Sequence, residues 1–376
     1  MIEGPMTGAN SDLGAEFCNG SKLAAQTGII KGPMAGAKLV IDCVDNPTFD
    51  VNVSVTDATR FVSDPSVWTM GGFGISANTQ AAAQVAAKAG LDITSSGGAA
   101  DFLTDTGAGN VWVDFPRVSA FGAATVDFCH RYYGATVVAS LHPDYSYLAP
   151  ALASGKLQAA NLQMTWNVDL AYQPGITDFS SLLTKLKAAN AGCNFLSEFA
   201  PTEAQQVVQA RQLGLKAPLE DFAGGGGTPD AYKVGGQSLV GFVWTTDIDP
   251  NLDPNSLLGQ AIASYAKTFG GAMDVNGAYA YDDVLAIKSA IEAGATTRQD
   301  LGKYMAMVDT PGLTGQLKYD AKKRIGDRVT YFLEQTDAQG TQQKVATYDI
   351  HDDGAVDLVS ISQCSTRPTC ALNISH

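Results

Sequence analysis

The stretch from Gly175 to Pro218, GITDFSSLLTKLKAANAGCNFLSEFAPTEAQQVVQARQLGLKAP, constrains this chain more than any other segment. Thr177 and Asp178 stand where a helix N-cap belongs. Phe179, Leu182, Leu183 and Leu186 recur at i, i+3, i+4 and i+7, which predicts an amphipathic helix. Cys193-Asn194-Phe195-Leu196 is a short apolar run suited to a buried strand. Thr202 to Gln205 has capping-box spacing and opens a second helix, which Gly214 closes. Helix, strand and helix joined by short turns is the repeating unit of a parallel sheet covered on both faces. The fold class is therefore α/β.

The remainder alternates in the same way. Ala15 to Ala25 reads as a helix, Lys38 to Cys43 as a strand, and Val53 to Phe61 as a helix with Ala58 and Phe61 inward. Val67 to Met70 is a strand running into Gly71-Gly72. Asn78 or Thr79 caps an alanine-rich helix that Gly90 closes, and Leu91 to Thr94 is the next strand. Val111 to Phe128 carries the chain into a second lobe, where Ala135 to Ser140 and Leu239 to Trp244 are strands. The Asp- and Pro-rich stretch Thr246 to Pro254 marks a connection. Helices are expected over Ser256 to Phe269, Tyr279 to Ala293 and Gln299 to Val308. Val329 to Glu334 and Lys344 to Asp349 flank Asp337 to Gly340, a hairpin signal.

At 376 residues the chain exceeds one comfortable core, so about two domains are expected. A hydrophobic share of 45% with 16% charged residues suits a packed globular protein. The formal net charge of −14 argues against nucleic acid and anionic membrane surfaces, both of which need Lys and Arg clusters. No apolar run is long enough to span a bilayer. Enzyme signatures fail: the GxSxG elbow, the GxxxxGK[ST] loop and the GxGxxG spacing are all absent. His130, His142, His351 and His376 show no metal spacing. Asp247, Asp249, Asn251 and Asp253 begin like an EF-hand loop, but Leu252 and Leu258 stand where glycine and glutamate are required. No cofactor and no catalytic activity are expected.

The wording TDFS-LL-KLKAA, a strand, APTE and ARQLGLKAP resembles the branched-chain amino-acid-binding (Leu/Ile/Val) family of solute-binding proteins, the extracytoplasmic receptors of ABC importers. The resemblance spans roughly residues 3 to 350. It implies two Rossmann-like lobes with central parallel sheets, joined by a three-strand hinge, the type I periplasmic-binding-protein fold. On that pattern residues 1–118 plus 248–327 form one lobe and 119–247 plus 328–350 the other, with 351–376 a C-terminal tail. The resemblance further implies a monomer, periplasmic or anchored at the cell surface, which closes on a small solute and is recognised by permease subunits. Met1 to Met6 has neither the charged start nor the apolar stretch of a leader, and reads as a mature sequence starting inside its first strand.

The resemblance also assigns candidate site residues. In Gly71-Gly-Phe-Gly-Ile-Ser-Ala-Asn-Thr-Gln80, Ser76 matches the serine that contacts the ligand carboxylate at a helix start, where free backbone N–H groups favour an anion. In the Thr94 to Thr104 loop, Gly97 takes the position that offers a carbonyl, and Ala99 the position of a threonine whose hydroxyl is missing here. Ala223, in Asp221-Phe-Ala-Gly-Gly-Gly-Gly, replaces the glutamate that pairs with an α-ammonium, and neither Asp221 nor Glu198 is a clean substitute. Leu13, Phe73, Phe121, Tyr145, Phe199, Ala200 and Phe222 are the apolar or aromatic positions expected near the cleft. An aromatic-lined cleft with one anion-binding end suits a carboxylate-bearing hydrophobic or aromatic solute. A hydrophobic amino acid is the alternative, and the ligand-sensing domain of a receptor or regulator the second alternative.

Six cysteines form an even set without a CxxC pair. Cys364 and Cys370 bracket a small polar loop. In such a fold Cys18 on the first helix and Cys43 on the second strand are neighbours, which leaves Cys129 with Cys193. Disulfides imply an oxidising compartment, and buried unpaired thiols are the other reading.

Overall fold

Short apolar runs between amphipathic helices give an α/β chain in the computed structural model, which describes residues 1–222, 228–249 and 251–363. The chain divides into two compact units. One comprises Met1–Arg117, Asn251–Arg328 and His351–Asp353; the other comprises Val118–Pro250, Val329–Ile350 and the segment from Gly354.

The first unit opens with β1 (Ile2–Gly4), α1 (Ser11–Gln26), β2 (Cys43–Asp45), α2 (Val51–Ser63), β3 (Gly71–Gly72), α3 (Ser76–Lys88), β4 (Ile93–Ser95), α4 (Phe102–Asp105) and β5 (Val111–Val113). The second unit follows with α5 (Val118–Tyr133), β6 (Val137–Pro143), α6 (Leu148–Asn161), β7 (Thr165–Tyr172), α7 (Ser180–Ala188), β8 (Cys193–Leu196), α8 (Ala200–Gln212), β9 (Leu219–Asp221), α9 (Pro229–Gly235) and β10 (Val243–Thr246). Back in the first unit come α10 (Leu257–Phe269), α11 (Val275–Ala293), α12 (Leu301–Met305), β11 (Asp309–Pro311) and β12 (Gln316–Lys318). The chain ends in β13 (Arg328–Gln335), β14 (Gln342–Ile350) and β15 (Val356–Ile361).

In the first unit β1 lies between β2 and β3, all parallel, with Glu3 opposite Val44 and Gly72. The order continues to β4, because Thr94 N–H donates to Met70 O (3.0 Å) and Gly97 N–H to Gly72 O (3.1 Å). β4 then pairs with β5, Thr94 opposite Trp112. The strand expected over Lys38–Cys43 forms a ladder only from Cys43 onward, and the one expected over Val67–Met70 is displaced to Gly71–Gly72, since a three-residue β1 offers nothing further to pair with. Phe61, Ala82, Leu103 and Val113 are fully buried beneath this sheet.

The second unit holds an eight-stranded sheet in the order β15-β14-β13-β10-β9-β8-β6-β7. β6 to β10 run parallel, β13 pairs antiparallel with β10, and β15 antiparallel with β14. The segment expected to lie beyond the core thus adds an edge strand, with Thr347 opposite Ser360. Phe179, Leu183 and Leu186 of the α7 stripe are all 0% exposed and pack with Leu196, Val207 and Trp244.

The capping box expected at Thr202 lies inside α8, which starts at Ala200. Phe199 is extended (φ −64, ψ 141), and its carbonyl accepts the Thr202 and Glu203 N–H groups at 3.0 Å. Pro201 sits in the first turn, where its missing N–H costs nothing. Gly214, at φ +74, closes the helix. Cys18 is bonded to Cys43 and Cys129 to Cys193. Cys364 and Cys370 lie outside the described residues. Among the described residues no helix is long and apolar enough to cross a membrane.

Candidate functional site

In the first unit the turns after β3 and β4 bring Ser76, Gly97 and Ala99 together. Ser76 opens α3 after an extended Ile75 (φ −142, ψ 155), and no side chain caps that helix. Asn78 and Thr79, the expected caps, lie within the first turn instead. Asn78 Nδ2 donates to Ser54 Oγ (2.7 Å), and the Thr79 hydroxyl turns back to Ile75 O (3.4 Å). The backbone N–H groups of Asn78 and Thr79 bond to Ile75 O, whereas those of Ser76 and Ala77 have no protein acceptor among the described residues. Two free donors at the positive end of a three-turn helix form an anion-binding geometry.

The β4 turn supplies the rest. Ala100 N–H donates to Ser76 Oγ (3.0 Å), so the serine oxygen is held while its hydrogen stays available to an acceptor. Ala99 N–H has no acceptor among the described residues, and the Gly97 carbonyl receives no protein hydrogen bond there. Gly97 has no substitute: a Cβ would stand 1.9 Å from Phe73 O. Phe73 itself takes a left-handed backbone (φ 57), which presses that carbonyl onto the turn. Its ring is 0% exposed in the first-unit core, so Phe73 shapes the turn through its backbone and presents no aromatic surface. Leu13, on α1, is half-buried against Ile2, Phe17 and Ala280.

In the second unit the expected residues separate into two groups. Tyr145 and Phe199 remain half-exposed, with ring centroids 6.0 Å apart, and Tyr147 stacks on Tyr145 at 5.8 Å. Phe222 is core: it is 1% exposed and packs on Phe195 at 5.1 Å and Trp166 at 5.9 Å. Ala200 is buried inside the α7/α8 cluster, and Phe121 is 8% exposed against Ala120 and Ile350. Apolar side chains at strand and helix ends were drawn into the nearest core, where burying each ring contributes about 1.5–3 kcal/mol. Ala223 lies outside the described residues.

Glu198 is the feature that the sequence left unresolved. It precedes Phe199 and is 5% exposed. Its carboxylate accepts from Tyr172 OH (2.9 Å) and from the Phe199 N–H (3.0 Å), and Gln206 Nε2 donates to the same tyrosine oxygen (2.6 Å). Burial raises its pKa, offset in part by those two donors. Glu198 directly precedes Phe199 of the aromatic group, and burial first and then its carboxylate raise the Tyr145 and Tyr147 phenols. Asp221, buried at the end of β9, accepts from Thr245 Oγ1 (2.9 Å). Glu203 is wholly buried, and neither of its oxygens has a donor among the described residues. Sequence reading weighed Glu198 and Asp221 but passed over Glu203, because a glutamate inside an apolar run carries no periodic signal.

A separate cavity of about 560 Å³ in the first unit is bordered by Met34, Trp68, Asp283 and Ile287 among others, and by none of the expected site residues.

Comparison with known proteins places the chain in a family. An amino acid binding protein of Pseudomonas aeruginosa PAO1 is 24% identical over 334 residues, 88% of each chain. The branched-chain amino acid substrate-binding protein LivJ of Streptococcus pneumoniae, solved with isoleucine, superposes with a TM-score of 0.80 at 20% identity, covering 95% of this chain and 98% of that one. An R. palustris ABC-transporter solute-binding protein in complex with benzoate also reaches 0.80, at 16% identity over 92% and 94%. The fold is that of the type I periplasmic binding proteins. With residues 3–341 matching the family described as periplasmic binding protein, the chain belongs to that family.

Proposed function

We propose that the protein is the extracytoplasmic solute receptor of an ABC importer, and that it holds a small carboxylate-bearing solute with a hydrophobic or aromatic body. The observation that carries this reading is the start of α3. There the Ser76 and Ala77 amides, the Ser76 hydroxyl and the Ala99 amide are donors without a competing protein acceptor. Tyr145, Tyr147 and Phe199 are the candidate apolar contacts of the second unit. Binding without turnover is the activity, with permease subunits as the membrane partners and a periplasmic or surface-anchored location.

The test is a thermal-shift and calorimetric screen of benzoate, 4-hydroxybenzoate, L-leucine and L-isoleucine. The expected result is a larger shift with an acid lacking the α-amino group, because Ala223 offers no counter-charge to an ammonium. A hydrophobic amino acid is the second reading, favoured by Glu198 and Asp221 beside the aromatic group. Stabilisation greatest with leucine selects that reading, and no response to any of the four acids removes both.

A further inference from the structure

Arg324 occupies a position that a side chain of its charge rarely takes. Its backbone is fixed to β5: Val113 N–H donates to Lys323 O and Ile325 N–H to Val113 O, both at 3.0 Å. The side chain runs inward and is 1% exposed. Every partner of its guanidinium is a neutral oxygen. Nε donates to Thr104 Oγ1 (3.1 Å), and Nη2 to Ala100 O (2.9 Å). Nη1 lies within reach of Ala99 O (3.2 Å), Phe115 O (3.0 Å) and Pro116 O (3.2 Å). Asp101, Asp105 and Asp320 act on it through space, opposed by Arg117, and none of the three carboxylates bonds to it.

A buried guanidinium without an ion-pair partner is expensive, and carbonyl dipoles satisfy its N–H groups without cancelling its charge. Two of those carbonyls, Ala99 and Ala100, belong to the turn that supplies the solute donors. The other two, Phe115 and Pro116, directly precede Arg117, the last residue of the first unit before the chain leaves it. The bonding is continuous: the guanidinium holds the Ala99 carbonyl, and the N–H of that same peptide unit, Ala100 N–H, holds Ser76 Oγ. A peptide whose carbonyl is bound to a cation is a stronger donor at its other amide edge, so the charge is relayed toward the anion site.

We propose that Arg324 is the positioning residue of the solute site: it locks Ala99–Ala100 against Phe115–Pro116 and sets a buried positive charge behind Ser76, so that an ionised carboxylate is retained over a neutral isostere. The proposal rests on the carboxylate reading above. It also accounts for the tolerance of alanine at position 99, where a hydroxyl donor is missing, because the field of the guanidinium acts on the anion without a direct contact.

The test uses the full chain with R324Q and R324K, read by two measurements. Hydrogen exchange on the solute-free protein reports the turn, and calorimetry with benzoate, L-leucine and benzamide reports the charge. R324Q is expected to speed exchange in the 96–104 peptide about tenfold or more, with the 180–188 peptide unchanged. It is also expected to weaken whichever carboxylate binds the wild type by about tenfold, the worth of a charge acting across roughly 10 Å of partly screened protein. R324K keeps the charge but not the planar fork. It is expected to recover most of the affinity and the preference over benzamide while the turn still exchanges fast. Should R324Q fail to fold, R324K carries both measurements. Wild-type exchange and affinity in R324Q, or equal losses for benzoate and benzamide, would overturn the proposal. If neither acid binds the wild type, the carboxylate reading falls on that result alone, and unchanged exchange in R324Q separately removes the positioning role.

Discussion

Single residues decide the chemistry at the turn proposed to hold the solute. Ser76 receives a hydrogen bond from Ala100 N–H, which leaves its own hydrogen for the proposed solute. Ser76→Ala is expected to weaken the best carboxylate probe by about ten- to hundredfold while lowering stability by only about 1 kcal/mol, measured by calorimetry and urea unfolding. Gly97 reverses that balance. Its substitution by alanine drives a methyl into the Phe73 carbonyl, 1.9 Å away, where neither backbone can give, and is expected to cost about 2 kcal/mol or more. Glu203 sets a pH dependence. Burial, then Asp221 and Glu198, hold its acid well above the ordinary carboxylate range. The folded state therefore keeps a proton that the unfolded chain releases near pH ~4, and this stabilisation is complete below that value and lost as pH rises toward the folded one. Glu203→Gln carries no proton to lose, so its melting temperature is expected to fall less than that of the wild type between about pH 5 and about pH 9. Parallel pH profiles for the two proteins would remove this role.

At the scale of elements, the sequence exposed whatever follows from local periodicity and hid whatever depends on a neighbour. The α7 stripe, the β8 run and the Gly214 stop are legible because each is set within a few residues. The start of α3 was not. Ser76, Asn78 and Thr79 are all good capping types, yet the sheet delivers the chain at Ile75, one residue too early for any of them to cap. Asn78 is instead drawn to Ser54, far along the sequence. The same limit hid the burial of Phe73 and Phe222, since a ring near a strand end packs wherever the adjoining helix leaves room. The uncapped α3 yields a direct prediction. Ile75 has the extended backbone of an N-cap. Ile75→Ser is expected to raise stability by about 0.5–2 kcal/mol and at the same time to weaken benzoate, because the new hydroxyl takes the amides the anion needs. A gain in stability with no loss of affinity would show that the solute does not use the helix start.

Across the whole molecule the two cystines were legible as pairs only once the fold was assigned, because pairing depends on which elements become neighbours, and both expected pairs form. Each lies within one unit: Cys18–Cys43 ties α1 to β2 across 25 residues, and Cys129–Cys193 ties α5 to β8 across 64. On a chain-entropy account each restricts the unfolded chain by about 3–4 kcal/mol, the longer loop more. Since neither joins the two units, removal of one is expected to act locally. In the Cys18→Ala/Cys43→Ala chain, hydrogen exchange should accelerate in β1, α1 and β4 while β8 and β9 keep their protection; in the Cys129→Ala/Cys193→Ala chain the order should reverse. The proposed anion site at α3 lies in the first unit, so benzoate should return protection to the first variant by mass action, about 2.7 kcal/mol at a hundred times its dissociation constant, more than to the second. Equal loss of protection throughout both units in either variant would mean that they unfold as one cooperative body, and that the anion site draws its stability from the whole chain instead of from the unit that contains it.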